Sequence, residues 1–542
     1  MDEIERTALQ GSAPGTAWWQ RGVIYQIYPR SFQDTDGDGV GDLPGITRRL
    51  EYLRWLGVDA AWISPIYPSP MADFGYDVSE HCDIHPMFGT LDDFDRLQAE
   101  ARRLRLRLIL DYIPNHTSDL HPWFLESQAS PENRYRDWYI WKDPAPGGGP
   151  PNNWLSVFGG PAWEFDPPSG QFYLHTYLKE QPDLNWRNPA VREAMFDVMR
   201  FWLERGVDGF RIDALAHCFK DAEFRDDPPN PEYHPGRAPY YQLRHVHSSD
   251  QPELLELIAD MRRLADRYGD RVLIGESYRP MELLRRHYGE DGGGLSFPFN
   301  FQLIRAPWDA QAIRALVDAY EAQLTPRMWP NWVLGNHDRS RVATRIGPAA
   351  ARVAAMLLLT LRGTPTLYYG DEIGMLDVPV PPDRVQDPYE KNVPGLGCGR
   401  DPERTPMQWT PMPGAGFTTG TPWLPLSDDF RQVNATVQRA DSQSMLAFYR
   451  RLLELRAAHP ALSIGGYRAV DNDQRGVLSY LRAQDERFLA VLNFLPQPCQ
   501  ATLAENFAGR IVLSTHCDRD QEPIGRRIAL REHEAVLVRL DA

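Results

Sequence analysis

The stretch Gly206-Val207-Asp208-Gly209-Phe210-Arg211-Ile212-Asp213-Ala214 decides how the rest of the chain is read. Val207, Phe210 and Ile212 are apolar in a short extended run, and Arg211 and Asp213 alternate with them. Side chains two apart on a strand point to the same face, so a cation and a carboxylate stand side by side at the end of a strand that otherwise reads as buried. Burying a carboxylate is costly unless it is paired and hydrogen-bonded. Taken alone, the pair suits a structural ion pair as well as an active site.

Working outward, similar short apolar segments occur at 23–28, 60–64, 106–112, 272–276, 295–301, 332–336 and 364–368. Amphipathic stretches at 46–56, 91–105, 189–205, 252–268, 309–323, 349–362 and 444–458 separate or follow them. Strands alternating with helices predict parallel βα units, and eight such strands predict a closed (β/α)8 TIM barrel of the α/β class. Residues 115–179, rich in Trp, Pro and Gly, are too long for a structureless loop and read as a small domain inserted after the third strand. From 464 to 542 the pattern changes to short alternating runs, which predicts a C-terminal all-β sandwich domain. The barrel then takes 17–114 and 180–463, and 1–16 reads as a flexible tail.

The formal net charge of −16 argues against a nucleic-acid partner, which wants a basic face. Hydrophobic residues make up 42% and charged residues 24%, a globular balance. The longest apolar run, 353–361, has about half the length of a membrane span. The five scattered cysteines lack CxxC spacing, which fits free thiols in a reducing compartment, and the acidic start Met1-Asp2-Glu3 shows no signal peptide. These features predict a cytoplasmic protein with no membrane partner.

Catalytic residues of such barrels stand at the C-terminal ends of strands. The third strand runs into Asp111-Tyr112-Ile113-Pro114-Asn115-His116, the fourth ends at Arg211 and Asp213, the fifth at Gly275-Glu276 and the seventh at Asn336-His337-Asp338. Acids delivered to one mouth by successive strands suit glycoside hydrolysis, which needs a carboxylate nucleophile and a carboxylic acid for the leaving oxygen. Arg211 is expected to keep Asp213 ionised, as a nucleophile requires. Glu276 follows the apolar run Val272-Leu273-Ile274, a setting that suits a general acid.

These segments, taken in order, resemble the motifs of the α-amylase family of glycoside hydrolases. Gln181-Pro182-Asp183-Leu184-Asn185 and Gly399-Arg400-Asp401-Pro402-Glu403-Arg404 look like those of its oligo-1,6-glucosidase and α-glucosidase branch. The resemblance implies Asp213 as nucleophile, Glu276 as acid/base and Asp338 as the third acid. His116, Arg211 and His337 would line the glucose site. Asp77, in Phe74-Gly75-Tyr76-Asp77, would pair with Arg400, or with Arg404 as runner-up, at a closed end that makes the enzyme exo-acting. The partners implied are short α-glucosyl oligosaccharides. An isomerising or glucosyl-transferring enzyme, of sucrose isomerase or trehalose synthase type, is the rival. In similar enzymes the residue after the nucleophile is Val for α-1,6 and Thr for α-1,4 cleavage. Ala214 is neither, and Arg339 replaces a more usual Gln.

Asp34-Thr35-Asp36-Gly37-Asp38-Gly39-Val40-Gly41-Asp42 has the start of a calcium loop: acidic oxygens at alternate positions, a turn glycine and a backbone carbonyl at Val40. Gly45 stands where an EF-hand has its bidentate Glu. The expected group is a structural Ca2+, with Mg2+ as the alternative, on Asp34, Asp36, Asp38, Val40 and Asp42. Aromatics Phe158 and Trp163 are expected at the rim of the site, and His81-Cys82-Asp83-Ile84-His85 is expected to be a structural loop rather than a zinc site.

Overall fold

The structure, a computed structural model, describes residues 16–289 and 292–541. The tail assigned to 1–16 therefore lies, apart from Thr16, outside the described residues. Eight parallel strands follow one another around the core: β1 (Ile24–Ile27), β2 (Ala60–Ile63), β3 (Arg107–Tyr112), β7 (Gly209–Ile212), β8 (Val272–Gly275), β9 (Phe297–Pro298), β10 (Asn331–Val333) and β11 (Thr364–Tyr368). Between β3 and β7 come β4 (Trp141–Lys142), β5 (Trp163–Asp166) and β6 (Gln171–Leu174). The eight-stranded order is β10-β11-β1-β2-β3-β7-β8-β9, so consecutive barrel strands are neighbours and β1 closes against β11. The remaining seam, β9 to β10, is spanned by the Asn300 amide donating to Asn331 Oδ1 at 3.4 Å. This is the TIM barrel that the strand–helix alternation predicts.

β9 is shorter than the stretch 295–301 expected from sequence. Pro298 has no N–H to donate, so the ladder to β8 stops there. On either side single bonds continue the contact, from the Ser296 amide to Leu273 O and from the Phe299 amide to Gly275 O.

Register explains why charge collects at one mouth. Ile24, Ala60, Trp62, Ile109, Val272, Ile274 and Val333 belong to one buried cluster that fills the barrel interior. Asp111 pairs across the sheet with Arg211, and Arg211 with Ile274. Side chains alternate along a strand, so Ile109 and Asp111, Arg211 and Asp213, and Ile274 and Glu276 share the inward face. The lower positions are apolar and packed, and the upper ones are charged. Gly209 must lack a side chain because a Cβ there would sit 2.2 Å from Val272 O.

Strands β4, β6 and β5 form a three-stranded antiparallel sheet over a core of Trp154, Ala162, Trp163, Phe172 and Leu174. The C-terminal region has a six-stranded sheet of β12 (Gly466–Val470), β13 (Val477–Ala483), β14 (Arg487–Asn493), β19 (Ala535–Leu540), β16 (Gly509–Ser514) and β17 (Pro523–Ile524). A two-stranded sheet of β15 (Cys499–Thr502) and β18 (Arg527–Leu530) packs with it over Val491, Ala501, Ile511, Ile528 and Val536. All five cysteines are free. Among the described residues no helix is long and apolar enough to cross a membrane.

Candidate active site

A cavity of about 1620 Å³ opens at the C-terminal end of the barrel strands. Asp213, Glu276, His116, His337, Asp338 and Arg400 all line it. Pockets for small ligands run to about 300–1,000 Å³, so there is room beyond a single sugar ring.

At its floor, Arg211 is shared by three carboxylates. Nη1 lies 2.6 Å from both Asp111 Oδ1 and Asp213 Oδ1, and Nη2 lies 2.9 Å from Glu276 Oε2. Asp111 is held further by Trp62 Nε1 at 3.0 Å and by the Tyr76 hydroxyl at 3.4 Å. Burial pushes Asp111 up to about 6 against the pull of Arg211. The expectation that Arg211 keeps Asp213 ionised needs correction. Burial pushes the Asp213 carboxyl well up, Arg211 pulls it down, and Glu276 and Asp111 push it up again. One guanidinium cannot neutralise three carboxylates, so the group as a whole favours retaining a proton.

Ala214 turns the chain out of β7 in the left-handed region, at φ 48° and ψ 25°. Its amide thereby faces Glu276 and donates to Oε2 at 3.2 Å. A non-glycine residue with this backbone carries strain of order 1–3 kcal/mol, and such residues concentrate at functional sites.

The opposite wall is a lattice of arginines and acids. Asp338 Oδ1 receives Arg404 Nη2 at 3.0 Å and Arg400 Nη1 at 3.3 Å. Burial alone would raise Asp338, but His337, Arg400, Arg404 and Arg211 together hold it well below the usual carboxylate range. Arg404 also donates from Nε to the His337 carbonyl at 2.7 Å. Both ring nitrogens of His337 are engaged, Nδ1 with Gln26 Nε2 and Nε2 with the Tyr76 hydroxyl, each at 2.7 Å. Burial holds His337 well below the ordinary histidine range and pushes His116 down to about 4, so both rings are neutral near pH 7.

The expected pairing of Asp77 with Arg400 is wrong. Arg400 Nη2 meets Asp73 Oδ1 at 2.8 Å and Asp387 Oδ1 at 2.6 Å. Asp77 instead accepts from the amides of Ala72 and Asp73 at 2.8 and 2.9 Å and does not line the cavity. Its carboxylate serves as the internal acceptor that closes the turn from Met71 to Asp77. The left-handed φ of Met71, Phe74 and Gly75 bends that turn so that Asp73, four residues earlier, faces the cavity. Gln181, within the motif quoted above, fixes this corner by reaching Asp73 Oδ2 at 3.2 Å and His116 Nε2 at 3.1 Å.

Of the two aromatics expected at the rim, Phe158 lines the cavity under the Arg400 guanidinium at 4.9 Å. Trp163 does not; it packs against Trp154 and Phe224. Sequence reasoning also missed the roof. Between β7 and the helix Glu253–Asp266 runs a long segment whose regular pieces are the short turns Leu215–His217 and Pro239–Gln242, and it contributes Arg237, Tyr240, Tyr241 and Arg244 to the cavity. Its clustered Pro, Tyr and Arg were the available signal.

In the loop 34–42, carboxylate oxygens of Asp34, Asp36 and Asp42 come within 4.8 Å of one another. These hard oxygen donors fit a divalent ion. Asp38 is not part of that group and accepts the Val40 amide at 2.7 Å. Asp42 also caps the helix Leu43–Leu56 by accepting from the Gly45 amide at 2.6 Å. His81 packs between His121 and Trp123, away from any such cluster.

The order of strand-end acids and the arginine-clamped pocket coincide with what sequence comparison returns. The description "Alpha amylase, catalytic domain" matches residues 26–465. The chain belongs to the α-amylase family of glycoside hydrolases. A probable alpha-glucosidase of Rhizobium meliloti (strain 1021) is 44% identical over 510 residues, covering 91% of this chain and 92% of that protein. The crystal structure of XgtA, an alpha-glucosyl transfer enzyme, is 41% identical with a TM-score of 0.92, covering 97% of this chain and all of that one. The trehalulose synthase MutB of Pseudomonas mesoacidophila MX-45 is 36% identical with a TM-score of 0.90 over the same 97% of this chain. Family membership is thus firm, while these relatives differ in what becomes of the glucosyl group.

Proposed function

We propose that this protein is an exo-acting, retaining α-glucosidase that releases α-glucose from the non-reducing end of short α-glucosides. The observation that carries the reading is the single Arg211 guanidinium bonded at once to Asp213 and Glu276, beside a wall where Arg400 is locked to Asp73, Asp387 and Asp338. Bridging by adjacent nitrogens of one guanidinium favours the about 5–5.5 Å carboxyl spacing of retaining enzymes over the about 6.5–9.5 Å of inverting ones. With the one proton retained by these buried acids placed on Glu276, the Asp213 carboxylate, bonded to Arg211, attacks the anomeric carbon as Glu276 gives that proton to the departing oxygen. Water, deprotonated by Glu276, then cleaves the glucosyl ester and restores both groups. Asp338, kept ionised by its arginines, grips sugar hydroxyls. The Asp73–Arg400 pair bonds the terminal hydroxyls and blocks a longer chain. Tyr76 and Asp111 orient His337 and Arg211.

Replacing Asp213 by Asn removes the nucleophile, and glucose release from maltose, isomaltose, sucrose and trehalose is expected to fall by about 10⁴-fold or more. Turnover within tenfold of the parent would overturn the assignment. The rival outcome, glucosyl transfer to a second sugar, shares the first half-reaction. Both structural relatives named above support it by their names, one an alpha-glucosyl transfer enzyme and the other a trehalulose synthase. Time courses on the same four sugars separate the two, because new disaccharides accumulate before glucose only in the transfer case.

The loop 34–42 is proposed to hold one structural Ca2+, or Mg2+, on Asp34, Asp36 and Asp42, with the Val40 carbonyl adding to the shell. The ion would offset the mutual repulsion of these carboxylates. Chelation followed by Ca2+ addition is expected to lower and then restore the melting temperature, the bound ion contributing about 2.7 kcal/mol of stability at 100-fold excess over Kd. An unchanged melting curve would refute the site.

A further inference from the structure

We propose that the leaving-group side of this cavity is built for an anionic aglycone, a departing group that carries a phosphate or a carboxylate. The inference rests on the glucosidase reading above and names the substrate class of that same site.

Arg237, Arg244, Arg305 and Arg339 line the cavity beyond the glucose end. Among the described residues none of them forms an ion pair with a carboxylate, in a chain of net charge −16. Two of them bracket one ring: the guanidiniums of Arg305 and Arg339 lie 4.9 and 5.2 Å from the centre of Tyr278. Arg237 lies 4.5 Å over Tyr241. Tyr278 is itself stacked on Phe301 at 4.3 Å, so the platform between the arginines is fixed. Arg339 Nε is buried with no hydrogen-bond partner.

Four of the carboxylates that share the cavity are already bound elsewhere. Asp250 is paired with Arg279. Glu390 accepts from the amides of Gly395 and Gly399, and Asp377 from Ser340 and the Arg341 amide. Asp338, next in sequence to Arg339, is bonded by Arg400 and Arg404. Like charges gathered without counter-ions repel. An anion placed among them would relieve that repulsion and accept charge-assisted hydrogen bonds from planar donors suited to phosphate or carboxylate.

The test uses matched pairs on the full chain: 4-carboxyphenyl α-glucoside against its methyl ester, and trehalose 6-phosphate against trehalose. The charged member of at least one pair is expected to show about 10- to 100-fold higher kcat/KM, shrinking as salt is raised. Which pair shows the effect identifies carboxylate or phosphate. Arg305→Gln and Arg339→Gln are each expected to cut the charged-to-neutral ratio by about tenfold. If Arg339→Gln does not fold, the solvent-facing Arg305→Gln carries the test. Equal kcat/KM within both pairs overturns the inference and leaves the glucosidase reading intact. If none of the four compounds is turned over, glucose release from maltose and isomaltose decides the glucosidase reading separately. Calorimetric titration of the same compounds then decides charge preference by itself: tighter binding of a charged member supports it and equal binding overturns it.

Discussion

The two ends of one cavity handle charge in opposite ways. At the glucose end every guanidinium is matched: Arg400 meets Asp73, Asp387 and Asp338, and Arg404 meets Asp338 and the His337 carbonyl. At the other end the arginines meet aromatic rings and, among the described residues, no carboxylate. A pre-paired wall offers a fixed set of donors and acceptors at no cost of reorganisation, which suits a ligand that never varies. An unpaired cluster instead leaves its binding energy to be supplied by the incoming group. Under the proposed function, the difference means that glucose recognition is built into the folded chain, whereas choice of the departing group depends on residues not yet satisfied.

The comparison breaks most readily at Arg400. Arg400→Ala leaves the buried carboxylates of Asp387 and Asp73 without their cation, and is expected to reduce kcat/KM by about 100- to 1,000-fold. Denaturant unfolding should show a stability loss of about 3–5 kcal/mol. A normal KM for maltose in this variant would dissolve the distinction between the two ends.

A smaller effect separates Asp73 from Asp77. Asp73→Asn should raise KM by about 10- to 100-fold with thermal stability little changed, because it weakens one charge-assisted contact at the sugar end. Asp77→Asn should do the reverse, losing about 1–3 kcal/mol of stability with KM preserved, since its carboxylate holds only the turn amides. Kinetics and melting curves of both variants check the assignment, and interchanged phenotypes would restore the sequence-based pairing.

A pH dependence is expected at the buried His287, behind the residues that line the cavity. Burial, with Arg279 and Arg286 nearby, pushes His287 down to about 4. The unfolded chain, with its histidines near 6.5, binds this proton earlier than the folded one. His287 therefore contributes stability that is complete above about pH 6.5 and lost as pH falls toward 4, about 3 kcal/mol over the window. Replacement by Gln should flatten the fall in unfolding free energy between pH 6.5 and 4. An unchanged slope would mean that the ring is already protonated in the folded protein.

How much was legible varied with distance along the chain. Alternation along β7 placed Arg211 and Asp213 on one face, and the same parity at β3 and β8 carried Asp111 and Glu276 to the same mouth. Residue spacing suffices for that because strand geometry repeats every two residues. The turn at 71–77 has no such period: the sequence pointed to Asp77, whereas its left-handed residues turn Asp73 inward. The metal loop was legible as a cluster of acids, but the folded loop gathers Asp34, Asp36 and Asp42 while Asp38 bonds its own backbone.

By itself the sequence determined the alternation of strands and helices, the acids at the strand ends and the family they belong to, because each follows from local periodicity or short motifs. Only the tertiary structure decided that Asp73 and Arg400 meet across 327 residues. It also decided that Arg211 serves three carboxylates at once, and that Arg237, Arg305 and Arg339 converge without a counter-ion. Those are questions of which charge lies within a few ångströms of which. Coulombic interaction falls off with distance in space, and only the closed barrel converts sequence separation into that distance.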